Sequence, residues 1–141
     1  MKLKKRSIEF DARFKDLKFS DNFLLKGTFA PTKGWTKVQF QHSIELLSYK
    51  LINPNERKII FHFRLVMRPD LGEISFDGEF ILESPEQNKI EFLIHNAFPP
   101  LRKLIDIFIL KYSYSHAESL AKRENIFFPP AKEILKRFGI K

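Results

Sequence analysis

Between Lys58 and Glu83 the chain alternates apolar and polar residues on both sides of a single turn. Ile59, Phe61, Phe63, Leu65 and Met67 alternate with Ile60, His62, Arg64, Val66 and Arg68. After Pro69, Asp70, Leu71 and Gly72 the pattern resumes at Ile74, Phe76, Gly78, Phe80 and Leu82. A period of two on either side of a Pro-Asp-x-Gly turn predicts a β-hairpin. Folded about a loop at 69–72, Met67 faces Ile74, Leu65 faces Phe76, Phe63 faces Gly78, Phe61 faces Phe80 and Ile59 faces Leu82. On the other face Arg68 meets Glu73, Arg64 meets Asp77, His62 meets Glu79 and Lys58 meets Glu83. One register serves both faces, and opposite charges across a strand pair support it. Glu73, Asp77 and Glu79 form an acidic stripe, but their cross-strand partners account for them without catalysis.

The remaining chain is read around this hairpin. Ile8, Phe10, Ala12, Phe14, Leu17 and Phe19 predict a first strand over 7–19, with a bulge near Lys15 or Asp16 where the alternation slips. Ser20–Thr36 holds Gly27, Pro31 and Gly34 and reads as a long connection whose Phe23, Phe29 and Trp35 tuck onto the sheet. Val38, Phe40, His42, Ile44 and Leu46 begin a second strand running to about Leu51, and Asn53–Glu56 is a turn. Ser84–Asn88 is a further turn, and Ile90, Phe92 and Ile94 predict a fifth strand. The period then changes. Leu101, Leu104, Ile105, Phe108, Ile109 and Tyr112 follow helical spacing behind Pro99 and Pro100, predicting a helix to about Glu124. Pro130 and Gly139 bracket a short second helix. The expectation is one α+β domain over 1–141: an antiparallel meander of about five strands, then a long and a short helix.

Charge bears on the choice of partner. The net charge is +8, distributed as about +8 over 1–71, −5 over 72–95 and +5 over 96–141. A basic chain attracts polyanions, so one reading is a nucleic-acid-binding module using Lys2, Lys4, Lys5, Arg6, Lys132, Lys136 and Arg137. The element order does not match an RRM, whose helices lie between strands, nor an OB barrel. The chain has no Cys, hence no disulfide framework, thiolate metal site or Cys nucleophile. His42, His62, His95 and His116 show no metal-ligand spacing. Ser113, Ser115, His116 and Ser119 are neighbours in sequence, but there is no nucleophile elbow, P-loop or Rossmann glycine fingerprint. No enzyme activity, metal or cofactor is called for. Lys2, Lys4, Lys5 and Arg6 are not followed by an apolar segment, and Leu104–Leu110 is too short to span a bilayer. A cytoplasmic location is the expectation.

Apolar residues also fall where a monomer does not need them. In the register above, Tyr49, Ile60 and Ile81 form a row on the outward sheet face, with Leu47, Leu51, Val66 and Leu93 beside it. The long helix carries a second stripe, Ile107, Leu110 and Tyr114. Surplus apolar surface of this kind marks a partner. It is either a subunit interface or a binding groove, and the residues alone leave both open.

The order of elements resembles the SecB family of export chaperones, and three local runs add to the likeness. Lys15-Asp16-Leu17-Lys18-Phe19 resembles the Lys-Asp-aliphatic-x-Phe run of that family's first strand. Phe98-Pro99-Pro100-Leu101-Arg102 is similar to the Phe-Pro-x-x-Arg that opens its main helix. Phe128-Pro129-Pro130 precedes the last helix, as Pro-containing segments do there. The resemblance implies an ATP-independent holdase for unfolded polypeptides, assembled as a homo-oligomer (a dimer or tetramer in that family) and serving protein export. It implies client contacts at Phe23, Phe29, Trp35, Tyr49, Ile60 and Ile81, and a subunit interface at Ile107, Leu110 and Tyr114. SecB proteins are acidic and engage the SecA motor through an acidic surface and a metal-binding tail. This chain is basic and has no Cys, and no His beyond His116, so a SecA partnership does not carry over. A third reading is an adaptor for one specific folded partner.

Overall fold

The computed structural model describes residues 11–27, 38–69 and 71–140. Four antiparallel strands, β1 (Arg13–Lys26), β2 (Gln39–Asn53), β3 (Glu56–Arg68) and β4 (Gly72–Glu83), are followed by α1 (Gln87–His95), α2 (Pro99–Arg123) and α3 (Ala131–Arg137). The strand order is β1-β4-β3-β2. Only β2, β3 and β4 form a meander. The first strand lies beside the last, a Greek-key arrangement that leaves β1 and β2 as the two edges.

The central hairpin pairs β3 with β4 two residues out of the expected register. Met67 faces Gly72, Leu65 faces Ile74, Phe63 faces Phe76 and Phe61 faces Gly78. The turn is Arg68–Leu71, not 69–72, because Leu71 is itself buried and its N–H donates to the Met67 carbonyl at 3.1 Å. A two-residue shift keeps every side chain on its face, so the apolar set remains the core face. The charge pairs change instead. Arg64 bonds Glu73 at 2.7 Å, His62 meets Asp77 at 2.7 Å and Lys58 reaches Glu79 at 3.7 Å. Glu83 is taken by Arg13 and Lys15 of β1. Gly72 has φ +145°, and a Cβ there would lie 2.6 Å from the Leu25 carbonyl oxygen, so the turn and β1 both require glycine.

Two further expectations are corrected. Strand β1 does not end at Phe19 but runs on to Lys26, because bulges between Lys15 and Lys18 and between Ser20 and Phe23 restore its phase. The first is the bulge expected near Asp16. Asp16 (φ 55°) and Asp21 (φ 50°) take the left-handed conformation that Asp tolerates better than most residues. The supposed fifth strand is α1. Its Ile90 and Leu93 are buried and Phe92 is 63% exposed, the signature of i, i+3 burial and not of alternation. The long helix begins at Pro99 as expected, and α3 lies between Pro130 and Gly139 (φ 76°).

All three helices cover one face of the sheet. Phe108 of α2 contacts Phe14 and Phe80, each at 4.9 Å between ring centroids. Tyr114 contacts Phe63 at 5.6 Å, and His116 stacks on Phe19 at 4.2 Å. These contacts carry α2 across β1, β4 and β3 over a core of Ile59, Phe61, Phe63, Leu65, Met67, Ile74, Phe76, Phe80 and Leu82, all 0–1% exposed.

Candidate functional site

An apolar opening on the helix side lies at the β2 edge. It is a groove of about 360 Å³ floored by Ile44, Leu46 and Tyr49 of β2. Leu93 and Ile94 of α1, Ala97 and Phe98 of the α1–α2 corner, and Leu101, Arg102 and Ile105 of α2 form its wall. Each segment is placed by a local rule. Alternation sends Ile44 and Leu46 to the helix face. A bulge between Leu46 and Ser48 then adds Leu47 and inverts the phase, so Tyr49 faces the same way as Leu46. Pro99 and Pro100 start α2 just after Phe98, which aims Leu101 and Ile105 at the sheet.

A buried polar knot fixes the wall to the floor. Arg57 of β3 is 3% exposed. Its guanidinium donates to the Tyr49 carbonyl at 2.8 Å, to Gln87 Oε1 at 3.1 Å and to Glu91 Oε1 at 3.0 Å. Gln87 in turn donates from Nε2 to the carbonyls of Asn55, Leu82 and Ser84. The planar fork of Arg suits this three-way arrangement, and it ties α1 to the β2–β3 end of the sheet. At the rim, Arg102 is held by Asp106 at 2.8 Å and turned toward the Ile44 carbonyl at 3.5 Å. Beyond Ile44 the edge is closed. Phe128 packs on Phe40 at 5.9 Å, and Phe138 at the end of α3 meets His42 at 5.0 Å.

The expected site residues are dispersed. Tyr49 lines the groove, on the face opposite the one assigned from sequence. Ile60 lies on the outward face between Ser48 and Glu79, and Ile81 lies there between Lys15 and Lys58. The row Tyr49–Ile60–Ile81 is therefore not formed, since the bulge and the register shift separate its members. The outward face is instead a lattice of ion pairs. Phe23 is 51% exposed on that face, opposite Ser75. Phe29 and Trp35 lie outside the described residues, as do Lys2, Lys4, Lys5 and Arg6. Leu110 and Tyr114 are buried within the chain itself, Tyr114 against His42, Phe63 and Phe138, while Ile107 is half-buried. Leu104 and Tyr112 are the large apolar residues that α2 leaves exposed. Sequence reasoning missed Ile44, Leu46, Leu93, Ile94 and Ile105 as groove residues. The helical spacing of Ile90, Leu93 and Ile94 was the available signal.

Among the described residues no group of three His, Asp or Glu side chains is gathered as a metal would require, and no helix is long and apolar enough to cross a membrane. The groove offers apolar surface, one carboxylate at Glu45, a neutralised Arg102–Asp106 pair and an edge of β2 that is unpaired among the described residues. Such a lining can bind by burial and by backbone pairing.

No protein-family profile matches the sequence, and no curated protein is similar to it in sequence. Among solved structures the chain is similar to a SecB-like chaperone of Mycobacterium tuberculosis, Rv1957, in complex with a ChAD peptide from the Rv1956 HigA1 antitoxin. The TM-score is 0.51 and the identity 14%, over 78% of this chain and 84% of that one. The likeness is one of fold, α+β and SecB-like.

Proposed function

We propose that this chain is a SecB-like, ATP-independent chaperone that holds extended, non-native polypeptide segments in the groove between β2 and the α1–α2 corner. The observation that carries the reading is that groove itself: apolar, open at a sheet edge, and set in a fold shared with a chaperone solved together with a peptide. Ile44, Leu46, Tyr49, Phe98 and Leu101 supply contact surface worth about 25 cal/mol per Å² buried. Burial of this kind is indifferent to client sequence and asks for no nucleotide. The exposed Leu104 and Tyr112 on α2, flanking half-buried Ile107, suit a second copy of the chain, which sedimentation or light scattering tests directly.

The deciding experiment is fluorescence anisotropy of a permanently unfolded polypeptide, at low and moderate salt, with its folded form as control. Micromolar or tighter binding to the unfolded form alone, surviving the salt, is the expected result. No binding overturns the proposal in favour of a specific folded partner. Binding abolished by salt overturns it in favour of nucleic acid, whose affinity falls steeply with ionic strength.

A further inference from the structure

The groove ends where His42 begins. His42 Nδ1 lies 2.7 Å from the Tyr114 hydroxyl, within a cage of Phe63 (6.3 Å, stacked), Tyr114 (5.6 Å) and Phe138 (5.0 Å, edge-on). Tyr114 is 0% exposed, so its O–H needs an acceptor, and the Nδ1 lone pair of a neutral imidazole provides one. Protonation turns that acceptor into a second donor. The Tyr114 oxygen can then accept from Nδ1–H only by orphaning its own proton in an aromatic pocket. The pair is satisfied in one protonation state and frustrated in the other.

The cage walls differ in how firmly they are held. Phe63 is in the middle of β3 and Tyr114 in the middle of α2, both 0% exposed. Phe138 is 43% exposed and follows the last turn of α3, a seven-residue helix. The outer end of α3 is tied to the β2 side by Arg137 Nη1 at 3.4 Å from the Val38 carbonyl, and its start is tied to α2 by Ala131 N–H on Glu118 Oε1 at 2.8 Å. Displacing Phe138 breaks no strand pairing, and it uncovers His42 on β2, next to the groove at Ile44, while Phe128 stays on Phe40.

We infer that His42 is a proton-sensitive latch: neutral, it seats the Phe138 end of α3 on β2; protonated, it releases that end. The charged groups around it act in known directions. Burial holds its basicity below the ordinary imidazole range, and Asp106 on α2 opposes that shift. Arg137 on α3 lies over the neighbouring Phe40 ring at 6.0 Å. Because the folded state prefers neutral imidazole, acidification favours whichever conformation lets His42 reach water.

Amide hydrogen exchange, normalised to intrinsic rates, tests the latch in the intact chain between about pH 7.5 and about pH 5.5, the range spanning imidazole titration. The expected result is a several-fold loss of protection confined to residues 138–140, whose N–H groups bond the Leu135 and Lys136 carbonyls, with β3 unchanged. His42→Gln keeps an acceptor for Tyr114 but does not titrate, and should abolish the pH dependence, while His116→Gln retains it. Equal protection at both pH values, or the same loss in His42→Gln, overturns the inference. The readout does not involve a client, so it stands or falls apart from the chaperone proposal. If both hold, client affinity rises at the lower pH in the parent chain and not in His42→Gln.

Discussion

Gly78 lies directly across the strand pair from Phe61, and the Phe61 ring fills the volume that a side chain at 78 would need. A Cβ there would lie 2.6 Å from Phe61 Cε1, and Phe61 is 0% exposed beneath Phe19 and Phe80. The ring has little room to retreat, since Phe80 is 0% exposed and half-buried Phe19 packs edge-on against it. Gly78→Ala should therefore destabilise by about 1–3 kcal/mol through overpacking, despite the usual gain from replacing a strand glycine. Urea denaturation of the pair measures it, and an unchanged midpoint would show that the core yields at this point.

The room made by Gly78 was legible in the sequence, but its occupant was not. Alternation fixes the face of each residue, so the core set Ile59, Phe61, Phe63, Leu65 and Met67 could be read directly. Register is fixed by the turn, and the two registers differ by two residues. Each offers Arg64, His62 and Lys58 an acid, so charge complementarity could not choose between them; the burial of Leu71 does. Bulges were the second source of error. Asp16, Asp21 and Leu47 each shift the phase, which hid the second half of β1 and moved Tyr49 to the opposite face. The third was α1. Ile90, Phe92 and Ile94 alternate, while Ile90 and Leu93 share a helix face, and nine residues are too few for period alone to decide.

Ser113 presents the reverse case, a polar atom with nothing to bond. Its hydroxyl is buried on the sheet-facing side of α2 and has no hydrogen-bond partner among the described residues. A serine hydroxyl desolvated without a partner costs about 1–3 kcal/mol, and alanine is the better helix former by a few tenths. Ser113→Ala should leave stability unchanged or raise it by about 1 kcal/mol. A loss of stability in thermal unfolding would reveal a bond that Ser113 makes in solution.

Acid should weaken the protein in two separable windows. His116 stacks on Phe19 and points Nε2 at Asn22 Oδ1, 3.1 Å away. Burial, and secondarily Arg123, pushes its basicity below the ordinary value of 6.5. The unfolded chain then binds the proton more readily, so this contribution is complete above about pH 6.5 and is lost as pH falls through the depressed value. Glu73 behaves in a lower range. Its hydrogen bonds from Arg64 hold it below 4.5, so its contribution is present above that pH and lost beneath it. Urea titrations at stepped pH should show both slopes. Burial depresses His42 as well, so His116→Gln should reduce the upper slope without abolishing it and leave the lower one intact, and an unaltered upper slope would assign that window to other groups.

The groove and the outward face make opposite demands on client binding. Leu46 is half-buried in the groove floor, whereas Phe23 is 51% exposed on the far side of the sheet. Leu46→Asp places a charge where a client would bury apolar surface, and should weaken binding of an unfolded polypeptide by about tenfold or more. Phe23→Asp should change it little. Anisotropy titrations of the two variants compare the faces directly, and a larger loss from Phe23→Asp would move the client site to the outward face.

Arg57 links stability to the shape of that groove. It bonds both the Tyr49 carbonyl on the floor and Gln87 and Glu91 on the α1 wall, and it is 3% exposed. Truncation would orphan the buried Gln87 Oε1 at about 1–3 kcal/mol. Arg57→Lys keeps the charge but not the fork, so one ammonium cannot meet three acceptors spread over two elements. Arg57→Lys should therefore lower stability and, at temperatures where the fold persists, loosen α1 relative to β2. Hydrogen exchange should rise in residues 87–95 before it rises in β3, and client affinity should fall with it. If the substitution lowers the unfolding midpoint while α1 protection and client affinity stay at parental values, the knot stabilises the fold without shaping the groove.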